Sequence, residues 1–192
     1  AYAMIGCLVG TEMCIRDSYN RYSIGAVAVD PETENVIVAT TYGLVTCLNK
    51  DGEQVWQVSM MERFGRLTFP NGRAGSPLVD GDIVLIRGVT SYWGANGPAR
   101  DRFFGFDKTT GEHLWTSVPG VGPPYLKDTS MSTPFLETRD GKRVFYAATG
   151  CGNIVCVNVN DGTAIWRWQV SKGGINSSPV VYKDSVINIH GK

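Results

Sequence analysis

From Val36 onward the apolar positions come in short runs, never in a helical stripe. A run such as VIVA, LVTCL or VFYAA is rich in β-branched and aromatic residues and stops at a glycine or asparagine turn. No stretch holds the i, i+3, i+4, i+7 spacing of an amphipathic helix. In the best-defined part of the chain the pattern predicts strands near 132–137, 143–149, 153–158 and 164–170. Asp140-Gly141 and Asp161-Gly162 are the tight hairpin signals between them.

The same grammar occurs three times. One copy reads VIVATTYGLVTCLNKDGEQVWQV from Val36 to Val58, and another RVFYAATGCGNIVCVNVNDGTAIWRWQV from Arg143 to Val170. The middle copy runs from Ile83 to Val118 and ends in FFGFDKTTGEHLWTSV. Each carries a turn glycine (Gly52, Gly111, Gly162) with a tryptophan four residues on: Trp56, Trp115 and Trp166. A Ser/Thr-Pro pair leads into each later copy: Ser76-Pro77, Thr133-Pro134 and Ser178-Pro179. The last pair opens a copy that stops at Lys192.

Four short antiparallel strands per ~50 residues, repeated, describe a propeller blade. The expected fold class is all-β: a partial β-propeller of about three four-stranded antiparallel blades plus the start of a fourth. The blades fall at about 21–60, 74–118, 130–170 and 176–192. One such sheet cannot bury its own faces, so the blades must stack on one another.

Residues 1–18 do not follow the pattern. Met4-Ile5-Gly6-Cys7 forms an imperfect lipoprotein cleavage box, but only six residues precede Cys7 to supply the basic start and apolar core of a signal peptide. The MCIRDS that ends the segment resembles translated adapter read-through at the edge of a reading frame. Residues 1–18 are therefore read as a non-native or disordered leader, and 19–192 as the propeller fragment.

Ala148-Thr149-Gly150, Cys156-Val157-Asn158, Asp161-Gly162 and Trp166 occupy the places of the pyrroloquinoline-quinone (PQQ) type propeller repeat, which the chain resembles over roughly 24–192. Gly105-Phe106-Asp107, Thr110-Gly111 and Trp115 match that repeat most closely. Asn49 and Asn158 stand where the family usually has Asp. The resemblance implies one of two functions. The first is a non-enzymatic binding or scaffold module of the bacterial cell envelope, periplasmic or exported and without cofactor. The alternative is a fragment of a PQQ-dependent alcohol or sugar dehydrogenase, holding PQQ and calcium on the axis. That family's vicinal Cys-Cys is missing, and no close acidic cluster offers calcium its six to eight oxygens. Asp128 and Asn176, just ahead of inner-strand starts, are the axis-facing candidates.

Composition narrows the partners. Lys plus Arg equals Asp plus Glu at 18 each, so no overall field favours nucleic acid or an anionic membrane. Five cysteines without close pairing are not a disulfide framework, and two histidines cannot build a His-rich metal site. No run of 18 apolar residues exists to span a bilayer.

No catalytic residue and no metal ligand is named from the sequence. Trp56, Trp115 and Trp166, at one repeat position, are expected to be mostly buried and to dock neighbouring blades. Cys47, Gly105 and Cys156 share a slot that wants a small residue. Cys151, in a turn, is the thiol of the set most open to reaction, though it too is expected to be inert. The binding face is expected from loop lengths. In a blade, the second-to-third-strand loop and the blade linker lie on one face. Linkers 59–73 and 118–131 and the loop near 89–101 are all long, whereas Asp51-Gly52, Asp80-Gly81, Thr110-Gly111 and Asp140-Gly141 turn tightly on the other. Arg66, Arg73, Trp93 and Arg100 centre that long-loop face, with Asp128 and Asn176 also on it. Arginine among aromatics suits an anionic or planar ligand, or a protein hot spot.

Overall fold

The computed structural model describes residues 26–40, 43–64, 76–90, 100–120 and 132–190. The leader, residues 1–18, lies outside them. Strands β1 (Ala26–Val29), β2 (Val36–Ala39), β3 (Leu44–Leu48) and β4 (Gln54–Ser59) form the first sheet in simple sequential order. The second holds β5 (Leu78–Asp80), β6 (Ile83–Thr90), β7 (Arg100–Asp107) and β8 (His113–Ser117). The third holds β9 (Phe135–Arg139), β10 (Lys142–Ala148), β11 (Asn153–Asn158) and β12 (Ala164–Gln169). A two-stranded sheet of β13 (Val180–Tyr182) and β14 (Ser185–Ile187) begins a fourth. All pairings are antiparallel, as the hairpin signals require. Asp140 and Gly141 both take positive φ, 49° and 73°, the pair that a two-residue type I′ turn needs.

The central strands read as nearly unbroken apolar runs because both faces are covered. Val84, Ile86, Phe104 and Phe106 point one way, into a core shared with Ile37, Val45, Cys47 and Trp56. Their neighbours Ile83, Leu85, Phe103 and Trp115 point the other way and meet Phe145, Ala147, Val155 and Val157. Tyr146 and Cys156 continue the series against Val181 and Val186. The period of two thus builds one core per sheet-to-sheet junction.

The three copies are equivalent in detail. Cys47, Gly105 and Cys156 are the cross-strand partners of Trp56, Trp115 and Trp166, and each sheet shifts register at the next residue. The shared small slot has a steric cause. A Cβ on Gly105 would lie 2.4 Å from Trp115 Cε2. Two features differ from expectation. A short helix, α1 (Met60–Phe64), follows β4, too short to leave a period in the sequence. Trp166 is 40% exposed, against 7% for Trp56 and 8% for Trp115, so the expectation that all three are mostly buried fails for this one. The cause is geometric. Trp56 and Trp115 lie beneath Gly111 and Gly162 of the next sheet, whereas β13–β14 brings no such turn to Trp166, which touches Tyr146 at 5.7 Å between ring centroids.

Candidate binding face

Sequential antiparallel order sends alternate hairpin turns to opposite ends of each sheet. The first-to-second and third-to-fourth turns share one end, and this end carries the ion pairs between blades. Trp56 lies against Gly111 of the next sheet, and its Nε1–H donates to the Lys108 carbonyl at 2.8 Å. Lys108 is buried and pairs with Asp30 at 3.4 Å and with Glu32, both of the first sheet's opening turn. Burial pushes the Asp30 carboxyl up, but the Thr33 hydroxyl, the Glu32 amide and the Lys108 ammonium outweigh it and hold the group below its ordinary value. Arg143 of the third sheet grips Asp80 of the second through Nε and Nη2 at 2.6–2.9 Å. Arg139 reaches Asp184 of the fourth at 3.0 Å. Each junction therefore carries an ion pair at the tight-turn end.

The other end collects the second-to-third loops and the blade linkers. Thr90 of β6 pairs with Arg100 of β7 at this end. The third sheet's counterpart is the turn 149–152. There Thr149 is fully buried and its hydroxyl accepts from the Asn153 amide at 2.9 Å. The Asn153 side-chain amide donates to Cys151 Sγ at 3.2 Å, and Gly120 packs against that sulfur. Cys151 is half-buried, while Cys47 and Cys156 are buried. Burial pushes the Cys156 thiol up to about 11.

Arg87 stands beneath this end and was not foreseen. It is 3% exposed, in the middle of β6. Its Nη1 donates to the carbonyl and hydroxyl of Ser132 at 2.8 Å each, and Nη2 donates to the Ala148 carbonyl at 2.6 Å. The guanidinium also lies 5.2 Å over the Phe103 ring. It thereby ties the second sheet to the lead-in and second strand of the third. The signal was present: one arginine inside the otherwise apolar run IVLIRGV. Arg is the side chain whose fixed fork can serve three acceptors at once.

Of the residues expected on this face, Arg66, Arg73, Trp93 and Asp128 lie outside the described residues. Arg100 is the first residue of β7, at the mouth of the 91–99 loop. Asn176 is exposed between β12 and β13, in a blade linker. Among the described residues no three His, Cys, Asp or Glu side chains gather as a metal set. None of the candidate helices is long and apolar enough to cross a membrane among the described residues.

Comparison with known proteins agrees with this architecture. A crystal structure of BamB from Moraxella catarrhalis superposes with a TM-score of 0.58 at 18% identity, covering 85% of this chain and 46% of that one. A quinohemoprotein alcohol dehydrogenase from Comamonas testosteroni gives 0.55 at 18% identity, covering 77% of this chain and 27% of the other. A europium-containing methanol dehydrogenase gives 0.55 at 16%, with coverages of 86% and 34%. This chain thus spans less than half the length of each, and at such identities the likeness shows the fold alone. The comparison with curated proteins returns no match. The model of the family described as outer membrane protein assembly factor BamB matches residues 16–192, nearly the whole chain. The chain belongs to that family of PQQ-type propeller repeat proteins.

Proposed function

We propose that this chain is part of a non-enzymatic scaffold of the bacterial cell envelope, exported or periplasmic, that offers its long-loop face to a protein partner. The observation that carries the reading is the division of labour between the two ends of the sheets. At the tight-turn end, Asp30, Lys108, Asp80, Arg143 and Trp56 are engaged in joining one blade to the next. Toward the opposite end the described frame is braced by Arg87, and the sequence between β6 and β7 and between the sheets is longer than at the tight turns. Rigid sheets with long loops at one end hold a recognition surface in place at little entropic cost. Arg66, Arg73, Trp93 and Arg100 supply planar donors and aromatic area for acidic or polar protein surface. The family description supports proteins of outer-membrane assembly as the partner class.

The test places a photo-crosslinking residue at Trp93 and, separately, at Lys142, which is exposed in the tight-turn region. Discrete adducts with an envelope protein at Trp93 but not at Lys142 are expected, weakened by Arg73→Ala. Equal adducts from both ends would reject the face. Dye-linked alcohol oxidation on adding PQQ and calcium would instead favour the dehydrogenase alternative.

A further inference from the structure

Three buried side-chain atoms among the described residues meet no hydrogen-bond partner: Arg102 Nε, Trp115 Nε1 and Glu137 Oε2. They are not alike. The indole is neutral, and the Glu137 carboxylate still pairs with Arg139 through its other oxygen at 3.5 Å. Arg102 is a permanent cation and, among the described residues, forms neither a hydrogen bond nor an ion pair.

Arg102 lies on β7 opposite Gly88 of β6, near the end where Thr90 meets Arg100. The period of two puts it on the same side as Phe104 and Phe106, the side that faces the first sheet. Arg87 of β6 faces the third sheet instead, and its donors are engaged by Ser132 and Ala148. Arg102 is half-buried. Its Nε is shut off from solvent, whereas Nη1 and Nη2 are not, so the tip of the fork stays within reach of a ligand. The helix α1 comes to the same junction, since Phe64 packs on Phe104 at 4.5 Å between centroids. It brings one exposed acid, Glu62, and one exposed base, Arg63, and so does not neutralise Arg102.

The chemistry of the group says what would complete it. A guanidinium has donors only, so its complement is an acceptor, and the charge selects an anionic one. A donor without a partner and out of contact with water is unfavourable, and an arriving acceptor relieves that state. Arg143 shows how this fold satisfies such a fork. Its Nε and Nη2 take the Asp80 carboxylate side-on at 2.6–2.9 Å.

We propose that Arg102 is a carboxylate-binding residue at the junction of the first and second sheets, and that it takes an acidic side chain of the protein partner. The source of that carboxylate rests on the partner reading above; the seat itself does not.

The test reads the guanidinium directly. In the full chain carrying isotope-labelled arginine, each Nε–H gives a nuclear magnetic resonance signal, and Arg102→Lys and Arg143→Lys assign the two of interest. Acetate and glutarate are titrated at constant ionic strength, with chloride and phosphate as comparison anions. The Arg102 signal should shift saturably with the two carboxylates, while the Arg143 signal stays fixed because Asp80 already fills that edge. Arg102→Leu should leave the urea midpoint unchanged, since no native bond is lost. An Arg102 signal that ignores carboxylates overturns the proposal. So does an equal response to chloride or phosphate, or a clear fall of the urea midpoint in Arg102→Leu, which would make the arginine a tie within the fold. Photo-crosslinking at Trp93 stands apart from these outcomes: its failure would reject the partner and leave the carboxylate seat in place.

Discussion

Gly52 and Gly111 hold the same place in successive blades, and replacing each by alanine separates two effects. Both adopt left-handed backbone, at φ 84° and 71°. Alanine at either site takes on that strain, about 1–2 kcal/mol. Only one of them meets a neighbour. A Cβ on Gly111 would stand 2.7 Å from Trp56 Cδ2 and 2.8 Å from Cε3, whereas nothing lies within 4 Å of a Cβ on Gly52. Trp56 is 7% exposed and its indole N–H is tied to Lys108, so it cannot swing aside freely. Forcing it out of place should add about 1–3 kcal/mol of overpacking. Gly111→Ala should therefore destabilise by about 2–5 kcal/mol and Gly52→Ala by about 1–2. Urea unfolding of the two variants and the parent measures the difference directly, provided the slopes agree. Combining Gly111→Ala with Trp56→Leu should remove most of the excess, since the two residues share one contact. Equal midpoints for the two single variants would refute the idea that the turn glycine is a seat for the preceding blade's tryptophan.

Two other outcomes follow from the same junctions. Trp56→Ala should cost about 3–5 kcal/mol, because the indole is 7% exposed and tied to the next sheet; thermal melts of variant and parent measure it. Asp30, held below its ordinary carboxylate value, contributes stability that is present above about pH 4 and lost as pH falls through its folded value. Asp30→Asn should then flatten the acid limb of a stability–pH profile, measured by denaturant midpoints from about pH 5 down to 2.

The strands and their turns were legible because the signals are local. Asp140-Gly141 declares a type I′ turn within two residues, and β9 to β12 fall within a few residues of the expected 132–137, 143–149, 153–158 and 164–170. The small slot at Cys47, Gly105 and Cys156 was legible through repetition, since three copies show the position at which size is restricted. Contacts between blades were not. Lys108 meets Glu32 across 76 positions, and Arg143 meets Asp80 across 63. Nothing in the run of charges pairs them in advance. Arg87 was overlooked for the same reason: its acceptors are carbonyls at Ser132 and Ala148, and every residue has a carbonyl. The burial of Trp166 was misjudged because burial there is a property of the neighbouring sheet, not of β12.

The joints at Arg87 and Trp56 have a bearing on how such a chain diverges. Arg87 grips the carbonyls of Ser132 and Ala148, and the Trp56 indole grips the carbonyl of Lys108. An acceptor that belongs to the main chain survives almost any mutation at its own position. These two hydrogen bonds therefore do not depend on which side chains stand at 108 and 148, whereas they are lost with the arginine and the tryptophan that do the gripping. A frame fastened in this manner tolerates wide genetic drift, in keeping with neighbours that share its architecture at only 16–18% identity.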